Sequence, residues 1–259
     1  MGKKLQIPFL MLFVLFGCEK EKKPVQTQSL VQISTINALM TGVYDGETTL
    51  HELAGRGDFG IGTFNALDGE MLLHNGKFYQ IRSDGKIYKP DEQTMTPFAT
   101  VIFFEPEVSI DLTFSTYPEL KSTLDSLLPS PNLFYAIKID CKMDYIKTRS
   151  VPAQSKPYLP LVEITAIQPE FEAYNMSGTL VGFYCPSFVS GVNVPGYHLH
   201  FLSDDEEFGG HVLQFKMAGG VLNLDQIGDF RVILPEDGDF LNNNLSEDLS
   251  EDLIVVEGK

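Results

Sequence analysis

Apolar and polar positions change period several times along this chain, and each change predicts an element. Ser34 to Tyr44 sets Ile36, Leu39, Met40 and Val43 at i, i+3, i+4 and i+7, the stripe of a short amphipathic helix. Short apolar runs bounded by turn residues follow. Met71–His74, Lys77–Arg82 and Lys86–Lys89 predict strands joined by Asn75-Gly76 and Asp84-Gly85, two strong hairpin signals. Thr100–Phe104 and Val108–Phe114 predict two more strands. Pro118 to Leu128 returns to the helical period, with proline at the first position and Leu120, Leu124, Leu127 and Leu128 on one face.

Leu133–Met143 predicts a further strand, and the proline-rich stretch from Thr148 to Pro160 predicts a loop and the best domain boundary. Beyond it, Thr179–Phe183, Tyr197–Leu202, His211–Met217, Val221–Leu224 and Phe230–Leu234 alternate as strands. The tail from Leu241 repeats SEDL twice before an apolar run, Leu253–Val256. The class is a strand-rich α/β or α+β protein.

The first residues are a targeting segment and fall outside this pattern. Lys3 and Lys4 precede an apolar run, Leu5 to Phe16, whose twelve residues fall short of the about 20 that a spanning helix needs. The run ends in Leu15-Phe16-Gly17-Cys18, which resembles a bacterial lipobox: a signal peptide over 1–17, cut before a Cys18 that carries lipid. Polar residues to position 30 then predict a flexible tether. This places the protein outside the cytoplasm, lipid-anchored on the periplasmic side or at the cell surface, with the anchor as its only contact with a membrane.

Among 259 residues, 19 Lys and Arg face 35 Asp and Glu, a net charge of −16. That excludes the basic stripe with which a protein neutralises nucleic-acid phosphates. With 43% apolar residues the chain can build a core. Three cysteines are too few for a disulfide framework; Cys141 and Cys185 sit in apolar strands, and their pairing is left open.

Three of the five histidines fall within fourteen residues, in GYHLHF and GGH. Side chains alternate along a strand, so His198 and His200 project from one face, and Gly209-Gly210 allows His211 to approach on a neighbouring strand. Three converging imidazoles with a coordination position left open suit a catalytic zinc. His51 and His74 have no such company. Gly55 to Gly60 spells G-x-G-x-x-G without the strand before it and helix after it that dinucleotide binding requires.

The strings FNALDGEM (64–71), GKFYQIRSDGKI (76–87), TPFATVIFF (96–104), TRSVPAQSKPY (148–158), GTLVGFYCP (178–186), GVNVPGYHLHFLSDD (191–205) and GGHVLQF (209–215) resemble the alpha-acetolactate decarboxylase family, in family order. The resemblance implies a zinc-dependent carboxy-lyase that converts 2-acetolactate to acetoin and CO₂. It implies zinc on His198, His200 and His211, and catalytic roles for Glu70 of LDGE and Arg149 of TRSVP. A tail glutamate completes that set; Glu257 matches best, with Glu247 and Glu251 close by. It also implies a homodimer, and two mixed-sheet domains with a few flanking helices, an N-terminal one to residue 150 and a zinc-bearing one from 151 to 259.

The chemistry of the residues agrees. Loss of CO₂ from a β-keto acid leaves an electron pair to be stored as an enediolate, which a Lewis acid stabilises. An arginine fork suits the carboxylate, and the glutamates can deliver the proton. Two other readings stand beside this one: a cupin-like oxygenase or isomerase, since cupins also place H-x-H near Pro-Gly, and a non-catalytic metal-binding lipoprotein.

Overall fold

The computed structural model describes residues 1–2 and 28–258. Most of the expected signal peptide, Cys18 and the tether up to residue 27 lie outside the described residues. The chain enters its first strand at Ser29, two residues inside the expected tether, because Leu30 is already a core residue.

A seven-stranded sheet forms first. Its strands are β1 (Ser29–Ile33), β3 (Phe59–Thr63), β4 (Glu70–His74), β5 (Lys77–Ile81), β6 (Ile87–Tyr88), β8 (Ala99–Ile102) and, returning from far along the chain, β15 (Asp229–Ile233). The order is β15-β1-β8-β3-β4-β5-β6; β1 and β15 run parallel and the other pairs antiparallel. Asn75 and Gly76 both take positive φ, 50° and 72°, which gives the β4–β5 hairpin the twist its strands need. Two short strands, β2 (Thr48–Thr49) and β7 (Met95–Thr96), pair separately. Helix α1 (Ile36–Met40) is capped by Thr35 Oγ1, and α2 (Leu50–Ala54) by a Thr49–Glu52 capping box.

The second sheet is antiparallel throughout. It contains β9 (Val108–Leu112), β10 (Ser115–Thr116), β11 (Phe134–Arg149), β12 (Glu170–Cys185), β13 (Gly196–Ser203) and β14 (Gly209–Ile227). The start of β14 also pairs with β13, so β11, β12, β13 and β14 close on themselves. The two strands expected at 211–217 and 221–224 are one: a bulge, not a turn, absorbs the intervening glycines, with Met143 opposite Met217 and Lys142 opposite Gly219. Helix α3 (Tyr117–Leu127) starts one residue before the expected Pro118, Glu119 reaching back to the Thr116 amide, and buries Leu120 and Leu124 while Leu127 of the expected face is exposed.

The sheets do not divide at residues 150/151. β9, β10 and β11 precede that point but belong to the second sheet, while β15 follows it and returns to the first. The reason is packing: Leu30, Phe59, Leu72 and Ile102 of the first sheet share a core with Phe134, Val181, Phe183 and Leu202 of the second. A separate apolar cluster joins α1, α4 (Leu161–Thr165) and α6 (Ser250–Val256) around Leu39, Leu161, Leu253 and Val256. A one-turn helix, α5 (Gly238–Asn242), precedes α6. Among the described residues no helix is long and apolar enough to cross a membrane.

Candidate active site

The site is built from the register of three strands. His198 and His200 lie two apart on β13, so both project to one face. His200 is the direct partner of His211 on β14, and His211 is the direct partner of Arg149 at the end of β11. The row Arg149–His211–His200 therefore crosses three strands at one level. Gly210 makes it possible: its φ is +128°, and a Cβ there would stand 2.5 Å from the Arg149 carbonyl oxygen.

The three imidazoles converge. Ring centroids are 5.1 Å apart for His198–His200, 4.9 Å for His198–His211 and 5.5 Å for His200–His211. One nitrogen from each lies within 4.8 Å of the others, and His198 Nε2 is 3.1 Å from His211 Nδ1. His200 Nδ1 stands 2.9 Å from the Met71 carbonyl oxygen, so the proton sits on Nδ1 and Nε2 presents a lone pair. That Nε2 is buried and makes no hydrogen bond to a described residue. Burial first, then His198 and Arg149, hold His200 well below the usual histidine range and keep it neutral. A neutral, tautomer-fixed imidazole beside two others is a donor set that could hold a metal ion, and the residues present fit a divalent one.

Glu70 comes from the first sheet. It opens β4, and its Oε1 accepts from Arg149 Nη1 at 2.5 Å while Oε2 lies 3.5 Å from His200 Nε2. Burial pushes the Glu70 carboxyl up to about 7; Arg149 opposes this and Glu257 adds to it. Arg149 Nη2 donates to the Val256 carbonyl oxygen at 3.3 Å, and its buried Nε has no hydrogen bond to a described residue. Thr148 and Ser150 fix the arginine from either side, donating to the Gly209 and Ile81 carbonyl oxygens at 2.9 and 2.7 Å.

Glu257 caps the C-terminus of α6 and is buried, because Leu253 and Val256 anchor that helix against α1 and α4. Glu247 and Glu251 are exposed. A pocket runs through this point. Its polar end presents Glu70, Arg149, His198 and Glu257, and its walls are apolar, including Leu39, Leu67, Phe98, Val151 and Leu161.

The structure thus brings together every residue singled out for this site: His198, His200, His211, Glu70, Arg149 and Glu257. His51 is exposed beside Glu92, and His74 lies at the far end of β4. Cys141 and Cys185 are buried in β11 and β12 and are not bonded to each other. The glycines at 55–60 follow a helix and enter a strand, the reverse of a dinucleotide-binding order. Sequence reasoning found α1 but missed the Met71 and Val256 carbonyl groups and the helices α4 and α6, which also wall the pocket. Backbone acceptors leave no composition signal; the apolar Leu253–Val256 run and the tail glutamate implied by the resemblance were the hints that the tail folds back.

The alpha-acetolactate decarboxylase family matches residues 30–247, most of the chain but ending before α6. A relative from Methanosarcina mazei, called alpha-acetolactate decarboxylase, is 51% identical over 88% of this chain and 80% of its own. A Methylococcus capsulatus protein of the same name is 48% identical over 87% of each. The crystal structure of alpha-acetolactate decarboxylase from Bacillus subtilis strain 168 superposes with a TM-score of 0.87 at 40% identity, covering 89% of this chain and all of that one. Sequence, fold and the converged histidines point the same way: the chain belongs to the alpha-acetolactate decarboxylase family.

Proposed function

We propose that this protein is an acetolactate decarboxylase, a carboxy-lyase that converts 2-acetolactate to acetoin and CO₂. The observation that carries the reading is the convergence of three histidines on one point, one of which, His198, joins Glu70, Arg149 and Glu257 in lining an apolar-walled pocket. His198, His200 and His211 would hold the metal, which supplies Lewis-acid polarisation of the substrate's ketone and hydroxyl oxygens. The all-nitrogen, three-ligand set favours zinc.

The chain's own groups account for the remaining steps. Arg149 keeps donors beyond its contacts with Glu70 and Val256, among them Nε, and they can orient the substrate carboxylate. When the carbon–carboxylate bond breaks, CO₂ leaves and the electron pair stays on the substrate. One proton must then be delivered to carbon. Glu70, its carboxyl raised to about 7, can hold and give a proton at neutral pH. Glu257, entering from the tail, is the second acid in reach and raises the cost of ionising Glu70. The apolar walls exclude water while the electron pair awaits its proton.

Three finer points belong to the same proposal. Gly17-Cys18 after the apolar run supports a lipid-anchored, exported protein. The family resemblance supports a homodimer, and the seven-stranded sheet has β6 and β15 as its edges. The metal is zinc. The deciding experiment pairs acetoin release from 2-acetolactate with metal analysis of the purified protein. About one zinc per chain with turnover is expected; bound metal without acetoin would support the non-catalytic alternative.

A further inference from the structure

Three strands of the seven-stranded sheet run between the pocket and the point where the tether joins the fold. β1 starts at Ser29 and leads to Ile36, β3 runs from Phe59 to Thr63, and β8 runs from Phe98 back towards Phe103. Ile36, Thr63 and Phe98 line the pocket. Their opposite ends gather aromatic side chains. β1 pairs β8 with Val31 opposite Val101, a register that sets Ser29 level with Phe103. On the other side of β1, Leu30 partners Phe230. Phe230 packs on Phe134 at 4.7 Å between ring centroids, and Phe188 meets Phe134 edge-on at 6.1 Å. Phe188 is 65% exposed and Phe103 48%.

We propose that this aromatic end of the sheet, Phe103 and Phe188 flanking the start of β1, rests on the lipid bilayer and points the pocket away from it. The inference rests on the reading of Cys18 as a lipid anchor. Residues 19–27 separate Cys18 from Gln28, and even fully extended this stretch spans at most about 35 Å. The lipid surface is therefore always within reach of the two rings. The local charges exclude an electrostatic membrane site: Asp58, Glu105, Glu107 and Asp229 outnumber Arg56 and Arg231 at this end of the molecule. The anchor supplies the effective concentration, and the rings, seated in the headgroup region, supply the orientation. Neutral lipid suits this arrangement better than anionic lipid.

The chain contains no tryptophan, so one substitution creates a single reporter. Phe188→Trp and Phe103→Trp, with Tyr174→Trp as control, are introduced into the full lipidated chain and reconstituted in phosphatidylcholine vesicles carrying brominated acyl chains. Tyr174 is 63% exposed on β12, eleven residues from the end of that strand near the patch. Phe188→Trp and Phe103→Trp are expected to lose about half their emission or more, the control little, because interfacial rings sit roughly 5–10 Å into the headgroup boundary. Acetoin release should be unchanged in all three. Equal quenching of the three reporters, in protein that floats with vesicles, overturns the docked orientation and leaves the anchor intact, as does a second copy shielding both rings. Flotation of Cys18→Ser equal to the native chain overturns the anchor and the docking with it.

Discussion

Arg149 Nη1 donates to Glu70 Oε1 at 2.5 Å, and this one contact ties the end of β11 in the second sheet to the start of β4 in the first. Both side chains are more than nine-tenths buried. A buried ion pair contributes little net stability against a hydrophobic replacement, yet losing one partner is costly, about 3–5 kcal/mol. The pair is kept where the pocket lies, which is the sense of a functional and not a structural bridge.

Glu70→Gln separates these roles. Glutamine can still accept from Arg149, so the fold and the metal should persist, but it cannot exchange a proton. Turnover should fall by roughly 10²-fold or more. Arg149→Lys keeps the charge but loses the planar fork, so KM should rise while metal content stays. Rates of acetoin release paired with metal analysis check both. Near-native turnover in Glu70→Gln would remove it from proton transfer.

Chelation tests the histidines. His200 and His211 are held by backbone pairing and His200 also by the Met71 carbonyl, so the site should survive loss of its ion. Treatment with a strong chelator should abolish acetoin release, leave the circular dichroism unchanged, and be reversed by added zinc. His200→Ala removes one of the three converged histidines and should lose both metal and activity. Full metal occupancy in that variant would place the ion elsewhere.

Much of this was legible in the sequence because it was local. The H-x-H spacing needs only strand alternation to place His198 and His200 together, and Asn75-Gly76 sets its hairpin by chain geometry alone. What escaped was non-local. Nothing near Asp229 shows that β15 would pair in parallel with β1, some 200 residues away, and nothing near Thr148 shows that β11 would run on to Arg149. The polar-looking TRS segment forms a strand end because its three side chains bond to Gly209, to Glu70 and Val256, and to Ile81. Partners at that distance have no signature in a window of ten residues.

The tail supplies a third test. α6 buries Leu253 and Val256, brings Glu257 to the pocket and offers the Val256 carbonyl to Arg149. Deleting residues 250–259 should open the pocket and reduce acetoin release by more than about tenfold, with both sheets intact by circular dichroism. Glu257→Gln alone should show part of that loss. Glu247→Gln and Glu251→Gln, at exposed positions, should show none. Equal rates in all three point variants would assign the tail a purely covering role.

Asp225 predicts a pH dependence away from the site. It is buried on β14, accepts from the Glu105 amide at 2.9 Å, and has Glu105 and Glu107 as charged neighbours. Burial, with the two glutamates adding, lifts its carboxyl to about 6, although the Glu105 amide opposes the rise. The folded state therefore binds a proton that the unfolded state has released between about pH 4 and pH 6. Stability should fall as pH rises through that window, by up to ~3 kcal/mol at neutral pH. Asp225→Asn keeps the acceptor and removes the charge. Its melting temperature should exceed that of the native chain at pH 7.5 and match it near pH 4.

Gly210 gives the sharpest geometric test. Its φ of +128° and the 2.5 Å approach of a would-be Cβ to the Arg149 carbonyl leave no room for a side chain. Gly210→Ala must push β14 away from β11 at the level of His211, or rotate the peptide that carries it. Either shift moves one imidazole relative to the other two, and ligand sets tolerate little displacement. Metal affinity should fall by roughly 10-fold or more, the loss seen when the support of a ligand is disturbed, and acetoin release should fall with it. Gly76→Ala is the control: that glycine also has positive φ, 72°, but a Cβ there meets nothing within 4 Å. It should lose stability while its metal affinity and turnover per folded chain remain native. Native metal affinity in Gly210→Ala would mean that the pairing of His211 with Arg149 does not set the metal geometry.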